Sequence, residues 1–260
     1  MTVVALITDF GLRDPYVASM KGVLVSLCRA GILDLTHDLA PFDVHEAAFF
    51  LRSAAPAFVS RGQEKIIFVI VVDPEVGTDR SIIVASRRKQ LFVAPDNGVL
   101  SLVLDEESQV RSVINSPFFS LNGSTTFHGR DRFAPLAAAL ARGAPLDRFG
   151  DALSFRNIRR LAYEEPSYGN TSAGGTVIRI DRFGNLITDL EWRRVEGGAR
   201  PKLRIGGVTV EKFVSTYQQA DSGPFILVGS DGTLEVSLRE ASAAELLGVQ
   251  RLAQVTLTWE

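Results

Sequence analysis

Apolar and polar positions change rhythm along this chain. Over residues 1–155, short β-branched runs alternate with segments whose apolar residues recur every three or four positions, which predicts an α/β domain. Val3 to Thr8 predicts a buried strand ending at Asp9-Phe10-Gly11. Asp14 and Pro15 predict a helix start, with Asp14 as its cap, and Val17, Met20, Leu24 and Leu27 share one helical face. Ile32 to Thr36 predicts a second strand, ending at His37-Asp38. Asp43 and Glu46 predict a capped helix with Ala47, Phe50, Leu51 and Ala54 inward. Ile66 to Val72 is apolar throughout and predicts a strand buried on both faces of a mostly parallel sheet. Two strands follow between Ser81 and Ala94, a short helix from Asp96-Asn97-Gly98, a strand from Val110 to Ile114, and a helix from His128 to Ala141.

The rhythm changes after residue 155. Residues 156–174 read as an exposed linker, rich in arginine, glutamate, glycine and proline. Residues 175–260 carry six strand-like runs separated by glycine turns, which predicts a small all-β, barrel-like domain.

Composition narrows the function. The 260 residues are 46% hydrophobic, as in a globular protein with a proper core. The net charge is −2, and the basic runs are short, which argues against a nucleic-acid partner. A single cysteine, Cys28, excludes an internal disulfide and fits a reducing, cytoplasmic setting. The N-terminus reads as a strand rather than a signal peptide. No stretch approaches the roughly 18 uninterrupted apolar residues of a membrane span.

Ligands of open α/β sheets bind beyond the carboxyl ends of the strands. Those ends carry Asp9, His37-Asp38, Asp73 and Asp96-Asn97. His37 and His45 also fit ordinary hydrogen-bonded histidines, and Asp9 a simple turn former. Asp73-Pro74-Glu75-Val76-Gly77-Thr78 is a turn that brings Arg80 near an acid, and Phe127-His128-Gly129-Arg130-Asp131 concentrates further polar chemistry. Neither GxxxxGK[ST] nor GxGxxG is present, so a nucleoside triphosphate or dinucleotide is not expected. Asp9, Asp73, Asp96 and His128 are the types that could hold a metal, although no HxxxH or HxH spacing supports one.

Seven segments together resemble one family. They are ITDFG (Ile7 to Gly11), the stretch to Lys21-Gly22, VVDPEVGTDR (Val71 to Arg80), APDNG (Ala94 to Gly98), FHGRD (Phe127 to Asp131), DRFGNLIT (Asp181 to Thr188) and GSDGTLE (Gly229 to Glu235). In this order they resemble the S-adenosyl-L-methionine hydrolases (adenosine-forming), or SAM hydroxide adenosyltransferases, relatives of the fluorinases and chlorinases. The resemblance implies an α/β domain followed by a β-barrel domain. It also implies a homotrimer with sites between subunits, hydrolysis of S-adenosyl-L-methionine by water attack at C5′, and no cofactor or metal. It carries the catalytic set over to Asp73, Arg80 and His128. The ribose acid becomes Asp9, and the adenine and methionine ends fall to Asp181, Phe183, Asn185, Ser230 and Glu235, with Phe10 or Phe183 stacking on adenine. Which of Asp73 and His128 takes the proton stays open. Glu75, where the family has glycine, and Asp189, where relatives often carry asparagine, depart from its pattern. His128-Gly129 stands where halogenating relatives have a different loop, which implies water rather than halide as the nucleophile. The competing expectations are a metal-dependent phosphohydrolase built on Asp9, Asp73, Asp96 and His128, and a non-catalytic adenosine-binding protein.

Overall fold

The computed structural model describes residues 2–59, 62, 64–195 and 200–260. The chain divides into two compact units, Met1–Ala162 and Tyr163–Glu260.

The first unit is built on seven strands: β1 (Val3–Thr8), β2 (Gly31–Thr36), β3 (Ile66–Val71), β4 (Ile82–Arg87), β5 (Gln90–Pro95), β6 (Gln109–Val113) and β7 (Asp151–Leu153). They form one sheet in the order β2-β1-β3-β5-β4-β6-β7. The strands β2, β1, β3 and β5 pair in parallel. β4 pairs antiparallel with both β5 and β6, so β6 again points with the parallel group. All six residues of β3 are buried, because helices cover both faces of a central parallel strand.

The period-2 alternation sorts the strand residues between two cores. Val4, Leu6, Ile67 and Val69 pack with helices α1 (Tyr16–Leu27) and α3 (Ala134–Ala141). Ala5, Ile7, Phe68 and Ile70 pack with α2 (Val44–Ala54) on the other face. Asp43 caps α2, accepting from the Glu46 N–H at 2.8 Å. Glu46 in turn accepts from the Ala40 N–H, holding the loop before the helix.

Two expectations need correction. Asp14 does not cap α1: Pro15 takes that position, and no side chain caps the helix. Asp96-Asn97-Gly98 forms a turn rather than opening a helix. Its side chains are drawn into ties between strand ends: Asn97 Nδ2 donates to the Val72 carbonyl at 2.9 Å, and Asp96 Oδ1 accepts from the Arg159 N–H at 2.9 Å. Gly98 has φ +100°, and a Cβ there would lie 2.8 Å from the Leu161 backbone nitrogen, so the turn needs glycine. β7 extends the sheet just before the stretch read as an exposed linker, and within that stretch Ile158 is buried in the first core.

The second unit carries β8 (Ser167–Tyr168), β9 (Ser172–Ile180), β10 (Leu186–Glu191), β11 (Lys202–Ile205), β12 (Val208–Val210), β13 (Phe225–Val228), β14 (Thr233–Ser237) and β15 (Gln254–Thr258), with one short helix, α4 (Ala243–Leu247). The order is β12-β11-β15-β9-β10-β14-β13, with β8 beside β9, and every pairing is antiparallel. This barrel-like sheet closes around Val177, Leu186, Leu190, Leu203, Leu234 and Val255. Asp189, one of the departures from the family pattern, is buried and accepts from the Thr176 N–H at 2.8 Å and the Tyr163 hydroxyl at 2.7 Å. Among the described residues, no helix is long and apolar enough to cross a membrane.

Phe68 and Phe92 stack with ring centroids 5.3 Å apart, and both are fully buried. Phe92→Ala should therefore cost about 3–5 kcal/mol, read as a lower urea midpoint for the first unit. A loss under about 1 kcal/mol would show that the two rings do not anchor this core.

Candidate active site

The parallel register aligns Thr8 with Val71, so Asp9 and Asp73 both emerge beyond the carboxyl ends of adjacent strands. After β3 the backbone turns twice: the Val76 N–H bonds to the Asp73 carbonyl, and the Thr78 N–H to the Glu75 carbonyl. The reversal brings Arg80 back to its own strand end. Arg80 Nε donates to Asp73 Oδ1 at 2.6 Å, and its Nη2 donates to Oδ2. The fork is bidentate and buried, with the two side chains 1% and 4% exposed. Phe133 lies under the guanidinium, 5.5 Å from ring centroid to Cζ.

His128 reaches the same place from another loop. It precedes a π-helical turn, Gly129–Phe133, that runs directly into α3. Such wide turns interrupt the regular ladder and are found often at functional sites. His128 is almost fully buried, and its Nδ1 lies 3.0 Å from Arg80 Nη2. A guanidinium has only donors, so Nδ1 accepts and the ring proton sits on Nε2. Burial, then the positive charges of Arg132 and Arg80, lower the His128 pKa to about 4. The ring is therefore a neutral donor at physiological pH. His128 Nε2 and Arg80 Nη1 are buried, and among the described residues neither has a protein partner. Gly129 allows this approach, since a Cβ there would sit 3.1 Å from Met20 Sδ and 3.2 Å from the Phe127 ring.

Asp9, Phe10, Asp73 and His128 line one cleft of about 370 Å³. Burial raises the Asp9 pKa, against a hydrogen bond from the Phe42 N–H at 2.8 Å. The cleft also has an aromatic wall absent from the sequence-based candidates. Tyr16 stands 5.6 Å from Phe10 and 5.1 Å from Phe127, and Phe42 completes the lining. The only signal in the sequence was proximity: Tyr16 opens the helix after ITDFG, and Phe127 precedes His128.

Other polar residues of the motifs brace the site. Asp131 takes both prongs of Arg130 and the Ser124 N–H, fixing the loop before His128. Glu75 pairs with Arg159 at 2.5 Å, so its added charge is compensated on the surface. Asp96 is held by the Arg159 N–H and faces Ser81. Among the described residues, no three His, Cys, Asp or Glu side chains converge as cation ligands.

In the second unit, Asp181, Phe183 and Asn185 line a cavity of about 720 Å³ with Tyr217. The Asp181 carboxylate shapes this wall by accepting from the Phe183 and Asn185 N–H groups and from Asn185 Nδ2, each at 2.9 Å. The Phe183 ring is mostly exposed. Glu235 is buried behind the wall and accepts from the Tyr217 hydroxyl and, at 3.2 Å, from Ser237 Oγ. Burial and the Glu235 contact push the Tyr217 pKa up. Ser230 lies in the exposed turn between β13 and β14.

Comparison with known proteins gives a consistent result across the chain. Residues 4–150 match the SAM hydroxide adenosyltransferase N-terminal domain, and residues 175–256 match the C-terminal domain of the same name. The chain is 36% identical to a (R)-S-adenosyl-L-methionine hydrolase from Thermus thermophilus, over 99% of this chain and 100% of that protein. It is 30% identical to a fluorinase from an Actinoplanes species, over 98% and 97% of the two chains. A solved structure of an uncharacterized conserved protein from Thermotoga maritima superimposes with a TM-score of 0.88 at 32% identity, covering 99% of this chain and 100% of that one.

The His128 shift has a consequence for stability. As pH falls through 6.5, the usual value, an unfolded chain binds a proton that the folded ring refuses until about 4. Relative to His128→Asn, the wild type should lose on the order of 1 kcal/mol per pH unit across that window and nothing further below it. Denaturant titrations at several pH values read this slope, and parallel profiles for the two proteins would refute it.

Proposed function

The chain belongs to the SAM hydroxide adenosyltransferase family, and on that premise we propose that it is an enzyme hydrolysing S-adenosyl-L-methionine to adenosine and L-methionine. The observation that carries the reading is the Asp73–Arg80–His128 cluster opening on the same cleft as Asp9. Full-length relatives bear the name (R)-S-adenosyl-L-methionine hydrolase.

The chemistry is a displacement at C5′. The sulfonium is already positive, so methionine leaves as a neutral thioether and needs no acid. The barrier lies with the nucleophile, because free water has a pKa of about 15.7. The Nε2–H of His128 and the free Nη1 of Arg80 present two donors that can hold the water oxygen and stabilise negative charge developing on it. With Nδ1 occupied by Arg80 and the ring reluctant to charge, His128 is poorly placed to take the proton. Asp73 is then the acceptor, through lone pairs that the Arg80 fork leaves free. The guanidinium favours hydroxide in the same field. As the bond to C5′ forms, the C5′–S bond breaks and its electron pair goes to sulfur.

Asp9 binds the ribose hydroxyls, and the aromatic wall with Phe10 excludes bulk water. Asp181, Phe183, Asn185, Ser230 and Glu235 serve the adenine and methionine ends, Glu235 acting from behind Tyr217. The family resemblance further supports a homotrimer whose sites lie between subunits, and the single cysteine fits a cytoplasmic setting. His128-Gly129 in the loop favours water over halide.

Turnover in H₂¹⁸O tests the route. Chelator-treated protein without added halide should yield adenosine carrying one ¹⁸O at its 5′ oxygen and unlabelled methionine. His128→Ala should lower kcat by about 10²-fold or more with a much smaller change in KM. A metal-restored phosphatase, or tight adenosine binding without turnover, would overturn the hydrolase reading.

A further inference from the structure

His37 lies outside the catalytic cluster and has no part in the chemistry above. It is one of the polar residues buried among the described residues, at 5% exposure. It follows β2, whose carboxyl end lies beside that of β1 in the sheet. Its imidazole Nδ1 is 2.8 Å from the hydroxyl of Thr8, the last residue of β1, which is fully buried. The same Thr8 hydroxyl accepts from the Phe10 N–H at 3.3 Å. The backbone of His37 takes a second hold: its carbonyl accepts from the Gly11 N–H at 2.7 Å. The loop that begins at His37 then supplies the Phe42 N–H to Asp9 Oδ2 at 2.8 Å. Phe42 has φ +66°, a conformation that side chains other than glycine rarely adopt and that surrounding contacts must sustain.

The Thr8–Gly11 turn is thus held from one side by a single neighbouring loop. Thr8 and Gly11 are tied to His37, and Asp9 is tied to Phe42. The far side of the imidazole is set as well. His37 Nε2 is 3.0 Å from Asp34 Oδ1, out of line for a hydrogen bond, and Lys21 Nζ is 2.5 Å from Asp34 Oδ2. The negative charge beside Nε2 favours the ring proton on that nitrogen, which leaves Nδ1 to accept from the Thr8 hydroxyl.

We propose that His37 is a positioning residue for nucleoside binding: through Thr8 and Gly11 it fixes the turn that aims the Asp9 carboxylate and the Phe10 ring into the cleft. It touches no reacting atom, so its loss should weaken binding of the nucleoside part and leave the chemical step nearly intact. This rests on the nucleoside reading of the cleft given above.

The test uses full-length protein and two probes, adenosine by calorimetry and S-adenosyl-L-methionine by turnover. His37→Ala should raise the adenosine Kd and the KM about tenfold, the scale of one buried hydrogen bond, with kcat within about twofold. His37→Asn, which returns a polar atom near the Nδ1 position, should recover most of that loss. Thr8→Val, which also frees the Phe10 N–H, should weaken binding at least as much, and Thr8→Val combined with His37→Ala should be no worse than Thr8→Val alone, because the contact between the two side chains is then already gone. Thr8→Val and His37→Asn keep the test open if His37→Ala does not fold. Unchanged Kd in folded variants, a fall in kcat at constant KM, or failure of asparagine to rescue would overturn the proposal. Wild-type protein that neither binds adenosine nor consumes S-adenosyl-L-methionine would instead overturn the function on which it rests.

Discussion

The site depends on one buried ion pair. Asp73 and Arg80 are taken almost wholly out of water, and that desolvation costs several kcal/mol per ion unless geometry and further bonds repay it. Here the geometry is bidentate, and Phe133 faces the guanidinium. The turn at Asp73 exists to make this pairing, since only a chain reversal returns Arg80 to the same strand end. His128 then accepts from Arg80 Nη2, the nitrogen that also donates to Asp73 Oδ2, and the tautomer of its ring follows. Removing either ion would leave an uncompensated buried charge beside the cleft, so structure and chemistry are difficult to separate at these positions.

Around that pair, polar side chains tie neighbouring strand ends together. Asn97 holds the Val72 carbonyl, one residue before Asp73. Asp131 gathers Arg130 and the Ser124 N–H below His128. His37 and Phe42 brace Asp9 from the end of β2. Parallel strands bring these ends to one edge, but sheet hydrogen bonds stop there, and loops past the edge need their own partners. Several residues that look like ligands in the sequence are therefore occupied in holding backbone. Asp96 is the clearest case: it resembles a metal ligand and serves as a loop acceptor.

The first unit was legible where burial is complete and periodic. The six apolar residues of β3 could only be a central strand, and Val4/Leu6 against Ala5/Ile7 separated the two faces. Short edge elements were not legible. β7, β8 and β12 have two or three residues each, too few for a period, and exist because a neighbouring strand offers free backbone groups. Asp14 failed as a cap for a related reason. Capping depends on where the first helical N–H groups point, and the turn after Gly11 places Pro15 there instead.

The sequence by itself determined the two-part organisation, the strands that form the first core, and the motif residues Asp73, Arg80 and His128. The first two follow from local pattern and residue type, and the third from the resemblance of ordered motifs to one family. Only the tertiary structure decided what those residues are to one another. It put the ring proton on His128 Nε2, lowered that ring's pKa by burial beside two arginines, and built an aromatic wall from Tyr16, Phe42 and Phe127. Each of these depends on distances between residues far apart in the chain. Hydrogen-bond roles and desolvation are properties of the space around a group, and no local pattern of residues encodes that space.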